Sequence, residues 1–144
     1  MPIFYASANP ESCTPSEHAH SAPDVTVVIP AFNRNHIIEQ TLQSVFCSQG
    51  EISIETIIVD DGSDEPVEHC LSRPLLDCCR VIRQQNQGLL FARLTGLMAA
   101  TGRYVIFLDS DDLITVEKLA SHVYAMDDQG LDISYTDVAT ATPY

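Results

Sequence analysis

Three short runs of β-branched, aliphatic and aromatic residues constrain the fold of this chain. They are Val25–Ile29 (Val-Thr-Val-Val-Ile), Ile54–Val59 (Ile-Glu-Thr-Ile-Ile-Val) and Tyr104–Leu108 (Tyr-Val-Ile-Phe-Leu). Each has the length and composition of a buried strand. Each releases polar or conformationally special residues at its C-terminal end: Pro30-Ala31-Phe32-Asn33, Asp60-Asp61-Gly62-Ser63-Asp64 and Asp109-Ser110-Asp111-Asp112. Helical spacing appears between them. Ile37, Ile38, Leu42, Val45 and Phe46 predict a helix from Arg34 to Ser48. Glu65–Ser72 predicts a short helix with Pro66 in its first turn, and Arg80–Arg83 a short strand. Gly88–Ala100 predicts a helix with Asn86 as its cap and Gly102 as its stop, followed later by a helix over Val116–Asp128 and a last strand over Asp132–Tyr135. This alternation predicts an α/β fold, a doubly wound and mostly parallel sheet of Rossmann-like type.

The acidic run after Leu108 is chemically loaded. Its carboxylates repel one another and lose hydration unless a positive charge sits among them. Asp109 and Asp111 flank Ser110, a spacing that lets both reach one hard divalent cation or its phosphate ligand. On its own the run fits equally well a helix N-terminus, where Ser and Asp cap the helix that follows. The second acidic strand end tips the balance. In an open parallel sheet, ligands bind in the crevice outside the carboxyl ends of the strands. A structural role accounts for the Gly62 turn and for Pro30, but not for acid on two strands facing one crevice.

Composition narrows the function. A chain of 144 residues makes one domain with a real core. Its net charge of −13 argues against a nucleic-acid binder, which presents a basic stripe. It leaves room for a nucleotide, because a bound metal reverses the local field. No stretch is long enough to span a membrane. Residues 1–23 are rich in Ser, Pro, Ala and His, lack periodicity and have no signal-peptide pattern, so a flexible tail is expected, with the domain proper over 24–144. Cys13, Cys47, Cys70, Cys78 and Cys79 make no Cys-x-x-Cys pair, and they are expected to be reduced thiols. His18, His20, His36, His69 and His122 have no partner at ligand spacing and are expected to be surface or packing residues.

Within the Gly88–Ala100 helix, Ala92, Gly96 and Ala100 recur every fourth residue and predict a close approach of helix to sheet. Arg93 lies beside that stripe. With only seven Lys and Arg in the chain, an Arg near an acid-lined crevice is expected to bind phosphate or brace an aspartate.

Taken in order, Val27–Asn33, Ile58-Val59-Asp60-Asp61-Gly62-Ser63, Gln85-Asn86-Gln87-Gly88 with Ala92-Arg93 and Gly96, and Asp109-Ser110-Asp111 resemble the nucleotide-binding half of an inverting family 2 glycosyltransferase with the GT-A fold. The resemblance covers about Val25 to Tyr135, with four motifs in register. It implies that Asp61 accepts a hydrogen bond from the base, usually uracil, and that Pro30, Ala31 and Phe32 line the base and ribose pocket. Arg93 would contact the nucleotide or hold Asp61, and Ser110 would join the nucleotide contacts. Asp109 would lie near ribose and metal, and Asp111 would ligate Mn²⁺ or Mg²⁺ bridging the diphosphate, a metal that neutralises charge developing on the leaving group. The implied donor is a nucleotide-sugar and the implied acceptor a carbohydrate, lipid or protein. Leu94, in place of a usual Asn, and Asn35-His36, in place of a commonly acidic stretch, depart from the family pattern and bear on sugar-pocket detail.

The family's acceptor-binding half, which supplies the catalytic base, has no counterpart before Tyr144, so no residue is nominated as base. The expected location is the cytoplasm or the inner membrane face, with any peripheral membrane association or oligomer made through that C-terminal half. A non-catalytic nucleotide-sugar-binding domain is the alternative. A phosphoacceptor receiver domain is the remoter one. It needs an acidic pair after its first strand and a Lys at a later strand end, whereas this chain has Pro30-Ala31-Phe32 and places Lys118 in a predicted helix.

Overall fold

The computed structural model describes residues 22–135. Four strands, β1 (Val25–Ala31), β2 (Ile54–Asp60), β3 (Arg80–Arg83) and β4 (Tyr104–Phe107), form one sheet in the order β3-β2-β1-β4, with every neighbouring pair parallel. Four α-helices connect or follow them: α1 (Ile38–Cys47), α2 (Arg73–Asp77), α3 (Leu89–Ala99) and α4 (Lys118–Gln129). The chain winds outward through β1, β2 and β3, then returns to the far side of β1 for β4. The direction therefore reverses between β1 and β4, where crevices form in folds of this kind.

Side chains alternate across β1 with a period of two. Val25, Val27, Ile29 and Ala31 pack with Ile38, Leu42 and Val45 of α1 and with Leu119, Ala120 and Val123 of α4. Val28 faces the other way and packs with Ile57, Val59 and Ala92 of α3. Helices thus cover both faces of β1, so the whole strand is buried, as its unbroken apolar run requires. The α3 helix lies unusually close to the sheet. A Cβ built on Gly96 would sit 2.2 Å from Val28 Cγ1, so only glycine fits there. The small-residue stripe is a packing device, as its spacing predicts.

Four expectations need correcting. Asn86 does not cap α3, whose N-cap is Gly88 with no side-chain cap bond. The helix over Glu65–Ser72 is instead a single 3₁₀ turn at Val67–His69 followed by α2. Pro74 has no N–H to give and is tolerated only in a first turn, so a separate helix starts beside it. The strand over Asp132–Tyr135 is absent. Those residues are irregular, and Ile133 and Tyr135 are exposed, without the ladder partner or apolar cover that would hold a strand. Among the cysteines, Cys47, Cys70 and Cys79 are free, whereas Cys78 is disulfide-bonded rather than a reduced thiol. Burial pushes the Cys79 thiol up to about 11, which keeps it protonated and inert. Most of the expected tail, residues 1–21, lies outside the described residues, as does Asp137. No helix among the described residues is long and apolar enough to cross a membrane.

Candidate functional site

The loops leaving β1 and β2 are stitched together. Asn33 adopts a left-handed backbone (φ 53°), which Asn tolerates better than most residues. Its N–H donates to Ser63 Oγ at 3.0 Å, its side-chain amide donates to Asp64 Oδ2 at 3.1 Å, and its Oδ1 accepts from Asp64 N at 2.9 Å. Gly62 has φ +80°, and a Cβ there would come within 2.9 Å of Asn86 N. The glycine therefore lets the β2 loop touch the loop before α3.

Asp60 and Asp61 are both nearly inaccessible, at 1% and 3% exposure, but face different partners. Asp60 accepts from Ser63 N (2.9 Å) and Val67 N (3.3 Å) and pairs with Arg83. Burial pushes its carboxyl up, but the hydrogen bonds from Ser63 and Val67 and the Arg83 charge outweigh burial and hold it below the usual range. Asp61 lies on the cleft wall and accepts from Gln84 Nε2 (2.7 Å), Gln87 N (3.0 Å) and Gly88 N (2.8 Å).

Arg93 does not reach Asp61. Its guanidinium donates to Asp109 Oδ1 at 2.6 Å and lies 5.9 Å from the centre of the Phe107 ring, so the alternative of bracing Asp61 is corrected to bracing Asp109. The bond uses one Asp109 oxygen. Asp111 is half-exposed and only loosely paired, 3.9 Å from Arg34 Nε, a contact worth little. The loop carrying both acids, and the start of α4 after it, are anchored by a polar row along α1 and its C-cap Ser48. Thr41 Oγ1 donates to Ser110 O (2.9 Å), Ser44 Oγ accepts from Ile114 N (3.1 Å) and Ser48 Oγ accepts from Leu119 N (3.3 Å).

These parts enclose a cleft of about 420 Å³ at the carboxyl ends of β1, β2 and β4. Its walls include Pro30, Ala31, Phe32, Asp61, Asp109, Ser110 and Asp111, all singled out from sequence. Arg93 stands behind the wall through its bond to Asp109. Among the described residues no three His, Cys, Asp or Glu side chains converge as a metal cage. Two carboxylates on one wall are the donor set that a Mg²⁺-type ion takes from protein when phosphates and water complete its shell. Asp109 and Asp111 fit such an ion on those grounds.

Gln84, Arg34, Asn86 and Leu89 were missed from sequence. Arg34, Asn86 and Leu89 line the cleft, and Gln84 donates to Asp61. Gln84 follows directly on β3, so the rule that picked out the other three strand ends would have found it.

The family described as Glycosyl transferase family 2 matches residues 26–142. An uncharacterized glycosyltransferase of Rickettsia bellii is 30% identical over 142 residues, which cover 90% of this chain and 20% of that protein. The Escherichia coli UDP-Glc:alpha-D-GlcNAc-diphosphoundecaprenol beta-1,3-glucosyltransferase WfaP is 32% identical, covering 78% of this chain and 45% of its own. The chain thus spans about a fifth of the first of these relatives and under half of the second. Among solved structures, Staphylococcus aureus TarS 1–349 in complex with UDP superposes with a TM-score of 0.62 at 28% identity, covering 74% of this chain and 33% of that one. The Pyrobaculum calidifontis mannosyltransferase PcManGT, with GDP-Man and Mn²⁺, gives a TM-score of 0.62 at 25% identity, with the same coverage of 74% and 33%.

Proposed function

The chain belongs to glycosyltransferase family 2, and from that premise we propose that its cleft binds a uridine diphosphate sugar together with a divalent metal, as the donor site of an inverting transferase. The observation that carries this reading is the convergence of Asp61, Asp109 and Asp111 on one cleft at the strand ends. The UDP held by a structural relative and the GDP-Man and Mn²⁺ held by another support the ligand class.

In this reading Asp61 accepts a hydrogen bond from the base, and Pro30, Ala31 and Phe32 line the base and ribose, with half-exposed Phe32 offering its ring. Asp111, helped by Asp109, would hold Mn²⁺ or Mg²⁺, which supplies positive charge to the departing diphosphate. Arg93 keeps Asp109 in a fixed orientation, so that the carboxylate meets the donor without rearranging. Ser110 contributes through the loop that Thr41 pins down. Transfer with inversion requires a base to take the acceptor proton.

Calorimetric titration of UDP with and without Mn²⁺ tests the reading. Affinity should rise with Mn²⁺ in the wild type, and Asp111→Ala should remove the rise while the thermal unfolding curve stays that of a folded domain. UDP binding that is indifferent to Mn²⁺ and equal in both proteins would refute the metal assignment.

A further inference from the structure

The acceptor sites of Asp61 bear on base selection. An ionised carboxylate has two oxygens with two lone-pair sites each. Both sites of Asp61 Oδ1 are taken, by Gln84 Nε2 at 2.7 Å and Gln87 N at 3.0 Å. Oδ2 accepts from Gly88 N at 2.8 Å, which leaves it one site. The Gln84 amide is not free to turn, because Thr95 Oγ1 donates to Gln84 Oε1 at 2.6 Å and so directs the amide NH₂ at Asp61.

We infer that Gln84 and Thr95 are specificity-determining positioning residues that limit Asp61 to a single incoming donor. The inference rests on the reading of Asp61 as the base contact. Uracil presents one N–H on its pairing edge, at N3, and a single remaining site on Oδ2 satisfies it. Guanine presents two adjacent donors, N1–H and the N2 amino group, which a carboxylate meets with both oxygens, and Gln84 already occupies the second. Cytosine presents an acceptor at N3, which a carboxylate repels. A guanine bound here would keep one buried donor unpaired, and a site that leaves such a group unpaired discriminates strongly. Thr95 belongs to α3 and lies across Gln84 from the base, so it acts through orientation alone.

The test is calorimetric titration of UDP and of GDP, each with Mn²⁺, on the wild type, Gln84→Met, Thr95→Val and Asp61→Asn, with thermal unfolding confirming that each is folded. The wild type should prefer UDP over GDP by about tenfold or more. Gln84→Met keeps the side-chain length and removes the amide, so GDP should gain affinity and the preference should shrink by at least about threefold. Thr95→Val should shrink it in the same direction and by less, which keeps the inference testable if Gln84→Met folds poorly. A purely structural role for either residue would weaken UDP and GDP together and leave their ratio unchanged. An unchanged ratio in both variants, or a wild type that prefers GDP, overturns the inference. The Asp61→Asn arm separates it from its premise. If Asp61→Asn weakens UDP while the ratio is indifferent to Gln84 and Thr95, the inference alone falls; if Asp61→Asn binds UDP as the wild type does, Asp61 is no base contact and both fall.

Discussion

Asp60 and Asp61 follow one another at the end of β2, and the pleat turns them to different surroundings. Asp60 accepts two backbone N–H bonds and the Arg83 charge, whereas Asp61 sits on the cleft wall. Asp60→Ala strands those donors and should cost about 2–3 kcal/mol in urea unfolding, with Arg83 discounted because it is partly in water. Asp61→Ala strands the Gln84, Gln87 and Gly88 donors and should cost a comparable amount of stability, but it alone should also weaken UDP, by about 1–3 kcal/mol in calorimetry. UDP weakened by Asp60→Ala alone would mean that the roles are exchanged. The low pKa of Asp60 also sets a pH dependence. A carboxyl held below its unfolded value contributes stability at pH above about 4 and loses it as pH falls through the folded value. Partial burial pushes half-buried Glu55 up, but the hydrogen bonds it accepts from Thr26 and Thr101 outweigh that and lower it, so it adds to the same window. Urea midpoints should therefore fall below pH 4, and less steeply in Asp60→Asn measured against its own neutral-pH midpoint. That acid closing an apolar strand marks the crevice was legible in the sequence. The partner of Arg93 was not, because whether it meets Asp61 or Asp109 depends on how α3 lies across the sheet.

At the scale of elements, one glycine sets that packing. Gly96→Ala places a methyl within 2.2 Å of Val28 Cγ1 and should cost about 1–3 kcal/mol through overpacking. Because Gly88, Ala92 and Arg93 ride on the same helix or its cap, UDP affinity should fall as well. Adding Val28→Ala makes room for the methyl, so the double variant should be more stable than the sum of the single changes predicts, a coupling read by a double-mutant cycle. Additive effects would show that the two side chains do not compete for the same space. On the other face, Thr41 holds the acidic loop through Ser110 O. Thr41→Val keeps the shape and removes that bond, costing about 1 kcal/mol of stability. It should also blunt the Mn²⁺-dependent gain in UDP affinity, since Asp109 and Asp111 flank the released residue. Strands β1 and β2 and the three long helices were readable because burial on both faces leaves a continuous apolar run and burial on one face a 3.6-residue period, whereas the partly exposed edge strands β3 and β4 were readable from short β-branched and aromatic runs. The 3₁₀ turn and α2 bury too little to leave either pattern. The anchoring row of Thr41, Ser44 and Ser48 was hidden because hydroxyl residues on a helix read as solvent-facing until their partners are known.

For the whole molecule, the distribution of acid decides what the chain is expected to do alone. The carboxylates on the cleft wall are Asp61, Asp109 and Asp111, and the proposed donor site uses all three. Each is already engaged: Asp61 with the 84–88 loop, Asp109 with Arg93, and Asp111 with the metal in this reading. A general base must be free to accept a proton within hydrogen-bond reach of the acceptor hydroxyl, and it contributes about 10²–10⁴-fold to rate. Among the described residues the cleft offers no fourth carboxylate and no histidine for that task. The 144-residue chain should therefore bind UDP-sugar with Mn²⁺ yet show negligible acceptor-dependent UDP release, with slow donor hydrolysis as its residual reaction. Robust acceptor-dependent release by the 144-residue chain would mean that one of its own carboxylates takes the proton. Asp132, exposed in the irregular segment after α4, and Asp137 would then be the first to change, and loss of transfer with UDP binding intact would identify the base.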